Sequence, residues 1–91
     1  MDNNRLTVGV ILADIVYANP VQELNKYTFI IMGRPGPTGK TTLCNKLKGL
    51  GFNAIELTPS IYDLVEYNYP GNLVRKDDEN KLYIIVLNDK V

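Results

Sequence analysis

The sequence has no histidine, no tryptophan, a single cysteine and no surplus of charge of either sign. Each absence closes off a class of function. Without histidine, and with Cys44 alone, a zinc centre of the usual kind lacks ligands and an internal disulfide lacks a partner, so a reducing, cytoplasmic setting is expected. Ten Lys plus Arg balance ten Asp plus Glu. The overall field therefore does not draw the chain to nucleic acid, and any anion has to be captured by a local site. Long apolar runs are also missing. Val8 to Ala13 falls far short of the ~20 residues a membrane helix needs. Asp14 ends that run, and Asp2 and Asp14 together argue against reading Arg5 and Val8 to Val16 as a signal peptide. No membrane partner is expected.

What remains is 91 residues, enough for one domain spanning 1–91. Leu6 to Leu12 is β-branched and mostly apolar and reads as a buried strand. Asn19-Pro20-Val21-Gln22 reads as a helix start, with Asn19 as cap and Pro20 at the first helical position, and the helix runs to about Tyr27. Thr28 to Met32 is a second strand, cut off by a Gly/Pro cluster. From Thr41 the period changes: Leu43, Leu47 and Leu50 share one helical face, Lys46 and Lys48 lie on the other, and Gly49 and Gly51 stop the helix. Cys44 falls on the apolar side as a core filler.

Asn53 to Leu57 is a third strand, and Thr58-Pro59-Ser60 offers a cap for a helix through Ile61, Leu64 and Val65. Asn68 to Asn72 is a turn by composition. Leu73-Val74-Arg75 pairs with the last and strongest strand, Leu82 to Leu87, across the polar segment Lys76 to Lys81. The expected fold is a small α/β domain, a two- or three-layer sandwich around a three- to four-stranded, mostly parallel sheet. Phe29 to Met32 and Tyr83 to Leu87 lack polar alternation, as strands covered on both faces do. Tyr62, Tyr67 and Tyr69 read as amphipathic rings at the core edge rather than as a base-stacking platform.

In such sheets ligands bind beyond the carboxyl ends of the strands, and Gly33 to Lys40 lies at such an end. A phosphate carries several oxygens and about two negative charges. A helix start offers unpaired N–H groups and the positive end of the helix dipole. Gly33, Gly36 and Gly39 let the backbone curl close to such a group. The Lys40 ammonium can meet terminal phosphate oxygens, and the Thr41 hydroxyl can ligate a magnesium ion that bridges them.

On these residues the chain resembles the P-loop NTPase family, in which a strand ends in a Gly-rich loop closing with Gly-Lys-Ser/Thr and opens a helix. Gly39-Lys40-Thr41-Thr42-Leu43 matches that ending, within a resemblance covering roughly Thr28 to Leu57. The resemblance implies ATP or GTP with magnesium as the ligand, held by Gly33, Gly36, Thr38, Gly39, Lys40, Thr41 and Thr42, with hydrolysis or phosphoryl transfer as the reaction. The departures are specific. The family's first glycine falls on Arg34, with Gly33 one residue early, and Pro35 and Pro37 remove two backbone donors.

A magnesium-orienting carboxylate is expected after an apolar strand: Asp89 in the family's order, or Asp14 in a permuted one. A general base has to be a carboxylate such as Glu56 or Asp63. Arg34 and Arg75 can neutralise phosphate charge, although Arg34 also reads as an exposed loop residue. The competing function is a non-catalytic module that captures a phosphate-bearing ligand, or that works through protein contacts and self-association along an exposed sheet edge.

Overall fold

The computed structural model describes residues 7–57 and 70–89. The helix expected around Ile61, the carboxylate Asp63 and the tyrosines at 62, 67 and 69 lie outside the described residues. The elements are α1 (Val8–Ala18), α2 (Val21–Leu24), β1 (Thr28–Met32), α3 (Lys40–Gly49), β2 (Asn53–Glu56), β3 (Leu73–Asp77) and β4 (Leu82–Val86). The strands form one sheet in the order β2-β1-β4-β3. β1 runs parallel to both β2 and β4, and β3 pairs antiparallel with β4. The expected α/β fold with a mostly parallel sheet is therefore the observed one. Among the described residues, no helix is long and apolar enough to cross a membrane.

The first element corrects the expectation of a strand over Leu6 to Leu12. Val8–Ala18 is a helix, with the Thr7 hydroxyl accepting from the Val10 amide at 3.2 Å as its N-terminal cap. The segment is apolar nearly all round, so helical and strand patterns are indistinguishable in it, and the Thr7 cap with packing of Ile11 and Ile15 decides. Asn19 is likewise not a helix start. It closes α1, donating its side-chain amide to the Ile15 carbonyl at 3.1 Å and to the Tyr83 hydroxyl at 3.3 Å. Pro20 is the N-cap residue of α2.

The stop of α3 has a defined geometry. Gly51 takes a left-handed φ of 92°, its amide donates to the Lys48 carbonyl at 3.0 Å, and the Phe52 amide reaches back to the Leu47 carbonyl at 3.0 Å. This paired bonding satisfies the helix's last carbonyls, and it buries Phe52 beside the turn it closes.

The main core lies on one face of the sheet, where Ile11 and Ile15 of α1 and Leu43, Cys44 and Leu47 of α3 meet Phe29, Ile31, Tyr83 and Ile85. Phe29 is fully buried and stacks on Tyr83, ring centroids 5.1 Å apart. Met32, Ile84 and Val86 form a second buried cluster with Ile30, Leu57, Leu73 and Leu82. The alternation of the two sets along β1 and β4 shows why these strands carry no polar positions. Where β1 and β4 begin, the Tyr27 hydroxyl donates to Asp78 at 2.5 Å, and the Lys76 ammonium stands 5.1 Å from the Tyr27 ring centroid and 3.7 Å from Asp78.

Candidate functional site

At the opposite end, the carboxyl end of β1, the chain leaves the sheet through Gly33. A Cβ on Gly33 would lie 2.1 Å from the Leu87 carbonyl oxygen, and its φ is 152°. Only glycine fits a backbone this close to the neighbouring strand's exit. The Leu87 amide donates to the Met32 carbonyl at 2.8 Å. One residue on, the Arg34 amide donates to the side-chain oxygen of Asn88 at 2.9 Å. Asn88 is itself held by Asn72, whose side-chain oxygen accepts from the amides of Asn88 at 2.9 Å and Asp89 at 3.0 Å. Asn72 and Asn88, both buried, thus fasten the first limb of the loop to the ends of β3 and β4.

The second limb curls over Lys40. Thr38 is only 1% exposed. Its amide donates to the Gly36 carbonyl at 2.8 Å, and its hydroxyl accepts from the Lys40 ammonium at 3.0 Å. The ammonium also donates to the Arg34 carbonyl. Both of these partners are neutral oxygens, and Lys40 is 9% exposed. Gly39, left-handed at φ 89°, is the N-cap residue of α3 and supplies no side-chain bond to it. The first turn of α3 contains no acidic residue, and its leading amides have no partner within the helix.

Gly36, Pro37, Gly39, Lys40, Thr41 and Thr42, together with Glu56, line a cleft of about 220 Å³ beside this helix start. Across it the Thr41 hydroxyl donates to the Glu56 carboxylate, 3.1 Å from Oε1 and 3.2 Å from Oε2. Comparison with protein-family models, with curated proteins and with solved structures returns no match. The chemistry of the cleft therefore rests on its own residues.

Of the residues expected around a phosphate, Gly36, Gly39, Lys40, Thr41 and Thr42 come together in that lining. Gly33 and Thr38 stand behind it, Gly33 against Leu87 and Thr38 against Lys40. Of the expected metal residues, Thr41 lines the cleft, whereas Asp89 follows β4, with its amide on Asn72, and is not among the cleft's lining residues. Asp14 lines a different cleft, between α1 and the sheet, with Ile11, Ile15, Asn19, Val74 and Tyr83. Arg34 and Arg75 are exposed.

Glu56, named in the sequence only as a candidate base, is the carboxylate that faces the loop. Its place follows from the register, which pairs it with Ile31 at the end of β1. Asn72 and Asn88 carried no signal in the sequence, because buried asparagines that bind backbone resemble surface turn residues until the strands are paired. Among the described residues no group of three or more histidine, cysteine or acidic side chains gathers for a metal. The hard oxygens of Thr41 and Glu56 nevertheless suit magnesium, which typically takes one or two carboxylates plus substrate phosphate and keeps several waters.

Proposed function

We propose that the chain binds the phosphate end of a nucleotide, ATP or GTP with magnesium, in the cleft at the start of α3, in the manner of a P-loop. One observation carries the reading. A nine-tenths-buried lysine, bonded only to neutral oxygens among its described contacts, and the first residues of an α-helix without a side-chain cap are among the residues lining one cleft. A buried positive charge beside a positive helix end is unfavourable by itself and is relieved by an anion. Thr41 and Glu56 are the residues that would hold magnesium, which supplies charge neutralisation on the phosphate oxygens. Lys40 orients the same oxygens, so any hydrolysis or phosphoryl transfer draws its rate from positioning and charge rather than from a covalent intermediate.

A second reading is capture of a phosphate-bearing ligand without turnover. It is favoured by the upstream half of the loop, where the Arg34 and Thr38 amides are already bonded within the protein and Pro35 and Pro37 have none. Donors toward the cleft are thereby concentrated near α3. Action through self-association belongs to the same class, with Ile55 of the edge strand β2 45% exposed.

Thermal stabilisation by ATP and GTP, with and without magnesium, tests the proposal in the wild type and in Lys40→Ala. Ligand at a hundredfold excess over its dissociation constant stabilises by about 2.7 kcal/mol. Stabilisation in the wild type that is lost in Lys40→Ala is the expected result, and stabilisation unchanged in the variant removes this cleft from consideration. Phosphate release over the same samples separates an enzyme from a binding module.

A further inference from the structure

We infer that Glu56, not an acid at the end of β4, makes anion binding in this cleft depend on a divalent cation. The inference rests on the phosphate-binding reading above. A carboxylate on the rim of an anion site repels the anion unless a cation lies between them. Here the carboxylate is positioned by backbone. Glu56 is the last residue of β2, in parallel register with Ile31, and the ladder continues past it as the Leu57 amide donates to the Ile31 carbonyl at 2.9 Å. The same carboxylate has both oxygens within hydrogen-bond reach of Thr41. Among the cleft's lining residues Lys40 and Glu56 are the charged ones, and their formal charges cancel. A bare phosphate therefore meets no net positive side-chain charge, whereas a metal–phosphate complex brings its own.

Among the described residues of the β4 side, none that carries a charge lines the cleft. Asn88, the residue there whose side chain bonds the loop, is a neutral amide occupied by Arg34. Asp89 is absent from the cleft's lining, and its amide is bonded to Asn72.

The test uses ATP and inorganic pyrophosphate as probes, titrated by calorimetry with magnesium and with a chelator, into wild type, Glu56→Gln and Asp89→Asn. Glu56 is exposed, and glutamine keeps an acceptor for Thr41, so unchanged urea midpoints are expected to confirm folding. Magnesium should tighten binding to the wild type by about tenfold or more, as removing a like charge at close range does. Glu56→Gln should bind the metal-free probes about tenfold tighter than the wild type and lose the magnesium increment. Asp89→Asn should behave as the wild type. Manganese provides a readout of the cation itself: the free-ion paramagnetic signal left by manganese with pyrophosphate alone should fall further on adding wild type, and should not fall further on adding Glu56→Gln. An undiminished magnesium increment in Glu56→Gln, or its loss in Asp89→Asn, overturns the assignment of Glu56 and leaves phosphate binding standing. No binding of either probe to wild type with magnesium overturns both.

Discussion

Replacing Gly33 by alanine puts the packing of the loop against β4 to a direct test. The added methyl would lie 2.1 Å from the Leu87 carbonyl oxygen, 2.7 Å from its carbon and 3.0 Å from the Leu87 nitrogen, all backbone atoms that no rotamer change can move aside. The φ of 152° adds about 1–3 kcal/mol for a side chain in that region. Relief requires the end of β4 to move away from β1. That movement stretches the Leu87-to-Met32 and Arg34-to-Asn88 bonds, at 2.8 and 2.9 Å, which contribute about 1 kcal/mol each.

The expected loss is thus about 3–5 kcal/mol, a large share of the 5–15 kcal/mol typical of a domain. Such a loss lowers the melting temperature by at least about 12 °C in a domain of this size. Gly36→Ala is the internal control, because a Cβ there meets nothing within 4 Å although φ is 114°; it should cost only the conformational term, about 1–3 kcal/mol. Urea unfolding of the two variants beside the wild type decides the matter. A Gly33→Ala protein no less stable than Gly36→Ala would refute the close approach.

Phe29→Ala removes a fully buried ring stacked on Tyr83 and should cost about 3–5 kcal/mol by the same unfolding measurement. Asn72→Ala deprives the amides of Asn88 and Asp89 of their shared acceptor; it should cost about 2 kcal/mol and raise hydrogen exchange at both amides. The Tyr27 hydroxyl bond holds Asp78 below its ordinary pKa of 3.8 and, reciprocally, holds Tyr27 above 10.0. The Asp78 contribution is present above the ordinary aspartate value and is lost as pH falls through the depressed one. The tyrosine contribution is present below pH 10 and is lost as pH rises through the elevated one. Tyr27→Phe should therefore flatten the stability profile at both extremes, leaving the acid-side share of Asp77, whose pKa is lowered chiefly by the Asn80 side chain.

The sheet was legible because its inner strands are written in residues that can do little else. Thr28 to Met32 and Leu82 to Leu87 are short, apolar and bounded by turn residues, and even the pairing of Leu73 to Arg75 with the last strand followed from their spacing. α3 was legible from the period of Leu43 and Leu47 and from Gly51, but Leu50, expected on the same face, is the exposed C-cap residue, and Gly49, expected as a stop, is the helix's last residue. α1 was not, because a helix apolar on most sides erases the period that distinguishes it: Val10 and Tyr17 face outward at 43% and 87% exposure. At the cleft, Lys40 and Thr41 were readable from local spacing. The meeting of Glu56 with Thr41, and the hold of Asn88 on Arg34, depend on which strands become neighbours, information spread over the whole chain.

The position of β4 between β1 and β3 has a consequence for the order of events in synthesis. Arg34 and the asparagine that fastens it are 54 residues apart, so at ribosomal rates the glycine-rich segment emerges roughly 3–10 s ahead of its anchor. Through that interval β1 can pair with β2 alone. One flank of β1 stays open to any extended peptide until the later strand inserts, so the first limb of the loop is fastened to Asn88 only after α3 and β2 have emerged.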